Sequence, residues 1–464
     1  MSSASLYAPR LPADDALRHV VHNEVHTRPT ALIEMPARVL YIAVLNRGVD
    51  KAQELAHLQA LPGHAGLTLR DLDTSFARFT VADPADPART VTLQWERHTE
   101  FTRYAVLVPL PEASEEDCIP APAPADAAPL PPDWIAGIPG ATFAAIDLWM
   151  WHDELVPEHK AARMTEARRW FARMHGDDGR KVRLFGSQMG NGHSWGLSDF
   201  RIGADGFERL LVLAPSDTSD ERAGRIAQRL LELETYRLMA LRGLPTAKKL
   251  ASFLAQSEQE LVQITGLMEE GRQISEQVLM DRLTALAGAV ERATAEHDWR
   301  YSASRAYFAL VHARMDELRE KPITGTQTMR DFIQRRTSPA MATVAASERR
   351  LATLAERIGR ASALLRTRID IAAEQQNREL LEQLTKGQTL QLSLQSTVEG
   401  LSIAAISYYM VSLVLYAGKA AKDLGWLPVA PELVAGLSIP LILFGVWWIT
   451  RRIHDRLHHA LGEH

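Results

Sequence analysis

The sequence predicts an α+β cytoplasmic domain, then a long, coiled-coil-like stalk helix, then a C-terminal two-helix transmembrane hairpin. Three observations predict it. Strand-like segments alternate with short helical ones as far as about residue 215. No proline interrupts the chain between Pro339 and Pro428. Most of the strong apolar signal sits after residue 400, in two stretches with almost no charge. The 464 residues suffice for two or three domains. With 46% hydrophobic and 23% charged residues, the composition is that of an ordinary globular protein. A formal net charge of -5 argues against a dedicated nucleic-acid binder. One cysteine, Cys118, allows no intrachain disulfide and fits a reducing compartment. The opening MSSASLYAPRLPADD lacks the basic and apolar blocks of a secretory signal.

DDALRHVVHNEVHTRP reads as a short helix with Asp14 as N-cap, stopped by Arg28-Pro29 because the residue before proline is driven out of the helical region. ARVLYIAVL, β-branched and aromatic, reads as a strand, and a helix follows from about residue 50 to 60. SFARFTVAD, RTVTLQWERHTEF and TRYAVLVPL predict an antiparallel meander at the edge of a mixed sheet. The proline-rich, acidic stretch 109–133 reads as an extended, exposed linker within the 1–215 domain, with Cys118 as a free surface thiol in it. ATFAAIDLWMW is a further strand, with a helix expected at about 157–175. VRLFGSQMGNGHSWGLSDFRI predicts a hairpin. Its glycines 186, 190, 192 and 196 resemble a phosphate cradle, but no helix N-terminus follows, so a flexible turn is the expectation. GFERLLVLAP supplies one more strand.

From 216 to 338 the chain reads as helical, with apolar residues at 226, 230, 233 and 238 near the 3.6 period. Further helices are expected at about 247–274, 276–297 and 299–320. Apolar or small residues then recur at 351, 354, 358, 361, 365, 369, 372, 380 and 384, continuing at 394, 398 and 401. That stripe predicts one stalk helix over 339–400, about 90 Å long at 1.5 Å per residue. A helix of that length cannot bury its stripe alone, so packing on its own chain or on other copies, as a homo-oligomer, is expected. Arginines at 349, 350, 357, 360, 366 and 368 alternate with acids on the other faces. They read as a solvated surface, an anion-binding stalk being the alternative.

LSIAAISYYMVSLVLYAGKAA has no charge before Lys419, and LVAGLSIPLILFGVWWIT has none. Both approach the roughly 20 apolar residues a membrane helix needs, giving spans at about 401–418 and 433–450 and the lipid bilayer as a partner. Tyr416, Trp426, Trp447 and Trp448 stand at the span ends, where aromatic rings favour the membrane boundary. Arg451, Arg452 and Arg456 open a basic tail over 451–464, Arg378 and Lys386 precede the first span, and the charges of the connecting loop cancel. The excess of arginine and lysine beside the outer ends of the pair predicts both termini in the cytoplasm of a bacterial inner membrane.

HNEVHTRP, WERHTEF, RLLELETYRLMAL and TVEGLSIAAISYYM together resemble the bacterial membrane-anchored proteins grouped as domain-of-unknown-function family 3422. The resemblance covers most of the chain. It implies an inner-membrane protein with a large cytoplasmic part, and it brings no activity and no assigned catalytic residue. The order of elements is also similar to CorA-type divalent-cation channels, which are pentamers. Their Gly-Met-Asn loop is absent, YAGKAAKDLGW standing in its place. A non-enzymatic sensor or scaffold is therefore expected, with a homo-oligomeric cation channel as the alternative.

Candidate chemistry is sparse. His22 and His26, four apart, share a helix face and suit one edge of a metal site. Glu24 lies about 200° around the helix and cannot join them, so polar contacts from Glu24 and Arg28 that dock a half-buried helix carrying His19 and His22 are the competing reading. WMWHDELVPEHK offers His152, Asp153, Glu154, Glu158 and His159, read as a hydrated loop. No nucleophile elbow, cysteine-histidine metal spacing or P-loop is present, so no catalytic residue and no cofactor is assigned. Glu399 lies at the cytoplasmic mouth of the first span, and Ser396, Gly400, Ile403 and Ser407 fall on one face of that helix. They suit a pore that gathers cations with a carboxylate ring, or else close helix packing with Glu399 at the interface.

Overall fold

The computed structural model describes residues 12–24, 30–82, 90–113, 119–120, 130–175, 182–270, 275–425 and 429–461. The chain divides into two compact units. One takes in residues up to 273 together with 281–360, and the other 274–280 together with 361–464.

The first unit is built on a mixed sheet. Its strands are β1 (Ala37–Leu45), β2 (Phe76–Ala82), β3 (Thr90–Arg97), β4 (Phe101–Pro109), β5 (Ala141–His152), β6 (Phe185–Met189), β7 (Ser194–Ile202), β8 (Glu208–Ala214) and the two-residue β9 (Lys321–Pro322). They lie in the order β2-β3-β4-β1-β5-β8-β7-β6-β9. The expected meander, β2 to β4, forms one edge. β1 pairs antiparallel with both β4 and β5, and β5 pairs parallel with β8. β8 is buried along its whole length, which explains the unbroken apolar run from Leu210 to Ala214.

Alternation along the strands sorts side chains to two faces. Val39, Tyr41 and Ala43 meet Ile146, Leu148 and Met150 on one face, under α5 (Asp220–Leu241). Leu40, Ile42 and Val44 go to the other, with Trp95, Tyr104 and Leu58 of α2 (Lys51–Gln59). Asp50 caps α2 with a capping box, its carboxylate accepting from the Gln53 amide. On the β5–β7 part of that second face, Trp149, Trp151 and Trp195 pack on Trp170 and Phe171 of α4 (Lys160–His175). α1 (Arg18–Glu24) and α3 (Pro132–Ala136) complete the short helices.

Most of the helical chain between 216 and 360 belongs to this unit. α5 lies on the sheet core, joined there by the end of α7 (Glu276–Glu317) and the start of α8 (Met329–Asp423). α6 (Gly243–Glu270) meets α7 and α8 closely: a Cβ on Gly243 would sit 2.7 Å from Ser304 Oγ and 3.2 Å from Val344 Cγ1. Ion pairs Arg350–Glu258, Arg305–Glu348 and Arg282–Glu260 lace the three helices together.

Several expectations are corrected. The break foreseen near 298 is absent, because α7 runs 42 residues with no proline in it. α8 starts at Met329, ten residues before Pro339, and runs 95 residues. Pro339 and Arg335 are both exposed, so the carbonyl that the missing N–H leaves free faces solvent. The proline-rich linker is not wholly exposed: Ile119 and Leu130 are fully buried, and the Ile119 amide donates to Glu166. His19 and His22 are exposed rather than half-buried. The end of their helix, with His26, Arg28 and Pro29, lies outside the described residues, as do Cys118 and Trp426.

In the second unit, α8 from Ala361 onward is followed by α9 (Pro431–Leu461). Gly418 of α8 lies beside Pro431 of α9, where a Cβ would make ordinary van der Waals contact at 3.5 Å.

Candidate functional site: an exposed apolar hairpin and buried ion pairs

Two helices are long and apolar enough to cross a membrane, α8 through its C-terminal part and α9 over Pro431–Arg452, and only 6% of each apolar window is buried. Water would not tolerate that much continuous apolar surface. Leu413, Leu437, Leu441 and Phe444 are all more than half exposed. Three hydroxyls in these helices are satisfied from within: Ser402 donates to the Val398 carbonyl, Ser412 to Tyr408 and Thr450 to Val446. That is the arrangement a medium without water demands. At the end of the second apolar stretch, the Arg451 guanidinium sits 5.1 Å from the Trp447 ring and Arg452 4.9 Å from Trp448.

The four residues suited to a pore occupy different environments. Ser396 and Gly400 are exposed, and Glu399 is partly buried with a polar contact. Ser407 is 4% exposed and its Oγ has no hydrogen-bond partner. Of the metal pair, His22 stands exposed on α1. Among the described residues no group of three or more His, Cys, Asp and Glu side chains is placed to hold a metal ion. The WMWHDELVPEHK acids are not a hydrated loop throughout. β5 continues to His152, whose Nε2 bonds the Met35 carbonyl, and Asp153 is buried against Arg163. Glu154 accepts from the Ser216 hydroxyl and amide, which hold its carboxyl below the usual range.

Sequence reasoning missed the charges buried against the sheet. Glu96 of β3 pairs with Arg103 of β4 and lies 3.1 Å from His98, while Glu232 of α5 reaches Arg103 at 3.8 Å and takes Arg314 from α7. Burial opposes the charge on Arg103, but Glu96, Tyr41 and Glu232 outweigh it and raise its pKa. Beside them the Tyr41 and Thr235 hydroxyls are 2.9 Å apart. Burial raises the Tyr41 pKa, and burial followed by Glu232 pushes Tyr236 up to about 12. A cavity of about 40 Å³ adjoins this network, lined by Tyr41, Gln94, Glu96, Arg103 and Gln228 among others.

Further along α5, Glu234 accepts two hydrogen bonds from Arg237, and Glu208 of β8 lies against Glu234. Burial first, and Glu234 second, raise Glu208 well above the carboxylate range. Two carboxyls this close favour a proton on Glu208, with Arg237 opposite them as the countercharge. Across the sheet, buried Asp147 takes Arg38 through two hydrogen bonds of 2.7 and 3.1 Å and Arg209 at 3.3 Å. Glu54 takes Arg97 at 2.8 Å and the Thr102 hydroxyl at 2.6 Å. Each of these acids is engaged by a guanidinium or a second carboxyl, so the arrangement clamps helices to strands and presents no activated nucleophile. One signal pointed to it: Glu232 and Glu234 interrupt the otherwise apolar face of LLELETYRLMAL.

Comparison with curated proteins finds no match. A family described as protein of unknown function, DUF3422, matches residues 13–457. The motifs quoted from both ends of the chain lie inside that match, and the chain belongs to this family.

Proposed function

We propose that the protein is a non-enzymatic sensor or scaffold anchored in the bacterial inner membrane. Its hairpin is embedded in lipid, and both termini and the sheet-bearing unit are in the cytoplasm. The observation that carries this reading is the exposed apolar surface of α8 and α9, capped by tryptophan–arginine pairs at one end. The buried ion pairs support it as well, since they rigidify a binding platform and supply no reactive group. Alkaline carbonate extraction of native membranes tests the anchor: the full chain should stay in the pellet, and its release would end this reading. Single cysteines at 421 and 455, probed with an impermeant thiol reagent on spheroplasts, test the orientation. Labelling is expected at 421 only.

A second reading, a homo-oligomeric CorA-like cation channel, is favoured by one observation. Leu380, Leu384, Leu394 and Val398 stand more than half exposed on α8, an unpartnered stripe that suits a coiled coil of several copies. Subunit counting in nanodiscs and cation flux in liposomes separate the two. A monomer without flux removes the channel, and a ring that conducts displaces the scaffold.

A further inference from the structure

The 189–193 turn, the start of α5 and the end of α7 enclose a cleft of about 270 Å³ in the sheet-bearing unit. That volume is at the lower end for small-molecule sites. Its lining includes Arg222, Arg225 and Arg229, one face of α5 at helical spacing, together with Arg319 and His193. Four arginines stand against one carboxylate, Glu317, leaving a net charge of about +3 if His193 is neutral. Glu317 is already committed to Arg314 at 2.6 Å and to Arg229 at 3.3 Å. Arg222, Arg225 and Arg319 have no ion pair among the described residues.

The backbone is arranged to bring these groups together. Gly190 is in the left-handed region, with φ of 58°, and a Cβ added there would lie 3.6 Å from an Arg222 guanidinium nitrogen. The Gly190 amide bonds the Leu318 carbonyl at 2.9 Å, tying the turn to the end of α7. Arg319 occupies a helix-terminal position with φ of 47°, where glycine is the usual residue. Burial, and then Arg222, hold the His193 pKa below its ordinary value, against the opposite pull of Asp217.

We propose that this cleft binds a soluble small anion of the phosphate class, such as a diphosphate or phosphate ester, held by Arg222, Arg225 and Arg319. Guanidinium forks grip phosphate oxygens in pairs. A tetrahedral, multiply charged group offers acceptors to three forks, two from α5 and one from the turn after α7, whereas a planar monocarboxylate offers only two oxygens. The inference goes beyond the sensor reading by giving it a ligand. It rests on the sheet-bearing unit alone, so loss of membrane anchoring would leave it standing.

The test is calorimetric titration of the full chain, in nanodiscs of neutral lipid, with inorganic pyrophosphate. Saturable binding is expected, weakened at least tenfold in Arg222→Gln/Arg225→Gln, while Arg349→Gln, on α8 away from the cleft, binds as the parent does. The double variant replaces exposed side chains, and an unchanged melting temperature without ligand confirms that it folds. No saturable binding at millimolar pyrophosphate, or binding indifferent to the double substitution, overturns the proposal. Equal affinity for citrate overturns the phosphate class, and loss of pyrophosphate binding in nanodiscs of anionic lipid overturns the soluble source.

Discussion

Glu208 and His57 are titratable groups whose burial has opposite consequences for stability. Glu208 is held well above the carboxylate range by burial and by Glu234. The folded protein therefore keeps a proton that the unfolded chain releases above about pH 4.5, and stability is lost as pH rises from there toward the folded pKa. Glu208→Gln keeps the shape and the donor to Glu234 without the titration. Its melting temperature should exceed that of the parent at pH 8 and approach it at pH 5, and a constant difference across that range would refute the assignment. His57 stacks on Trp134 at 4.3 Å between ring centres, and burial brings its pKa to about 4. Between pH 6.5 and 4 the unfolded chain binds the extra proton, so stability is complete above that window and declines as pH falls through it. His57→Phe should flatten this acid limb while leaving stability at pH 7.5 nearly unchanged, as urea unfolding at several pH values would report.

At the scale of elements, α5 decides how the sheet-bearing unit is assembled. The segment from Thr30 to Ile33 crosses it so closely that a Cβ on Gly224 would lie 1.7 Å from the Ala31 carbonyl oxygen. The Ile33 amide donates to the Asp220 carbonyl at 3.2 Å in the same crossing. Gly224→Ala should destabilise the protein by about 3 kcal/mol, because backbone rather than a flexible side chain must move. Denaturant titration measures this, and a loss under about 0.5 kcal/mol, the range of ordinary surface changes, would contradict the close crossing. The same helix shows what was legible and what was not. Ile226, Leu230 and Leu233 announced its buried face by spacing. Glu232, Glu234 and Arg237 sit at positions that spacing assigns to either face, and only the opposing Arg103, Arg314 and Glu208 show them to be buried pairs. These partners lie at least 26 residues from the acids they meet, beyond the reach of any local pattern.

For the molecule as a whole, the apolar stretches are the dominant chemical fact. An arginine at the centre of a membrane helix costs about 2.5–3.5 kcal/mol on insertion scales. Leu441 is 76% exposed in the middle of the second stretch. Leu441→Arg should therefore move a measurable share of the chain from the carbonate-resistant pellet to the supernatant, and unchanged extraction would mean that α9 does not lie in lipid. The family match spans residues 13–457 and so unites the sheet and the hairpin in one conserved chain type.

The linear order of residues by itself determined the strands, the edge meander, the proline-free helix and the two apolar stretches. These follow from periodicity and composition, which are local properties. Tertiary structure alone decided three things: that α8 continues through Pro339, that Ile119 and Leu130 of the proline-rich stretch are buried, and that arginines of α5 meet Arg319, just past α7, across one cleft. Each depends on what a residue faces, and facing is set by packing between segments far apart in the chain. A proline is tolerated where its orphaned carbonyl is wet, and a guanidinium gains its role from the groups brought opposite it.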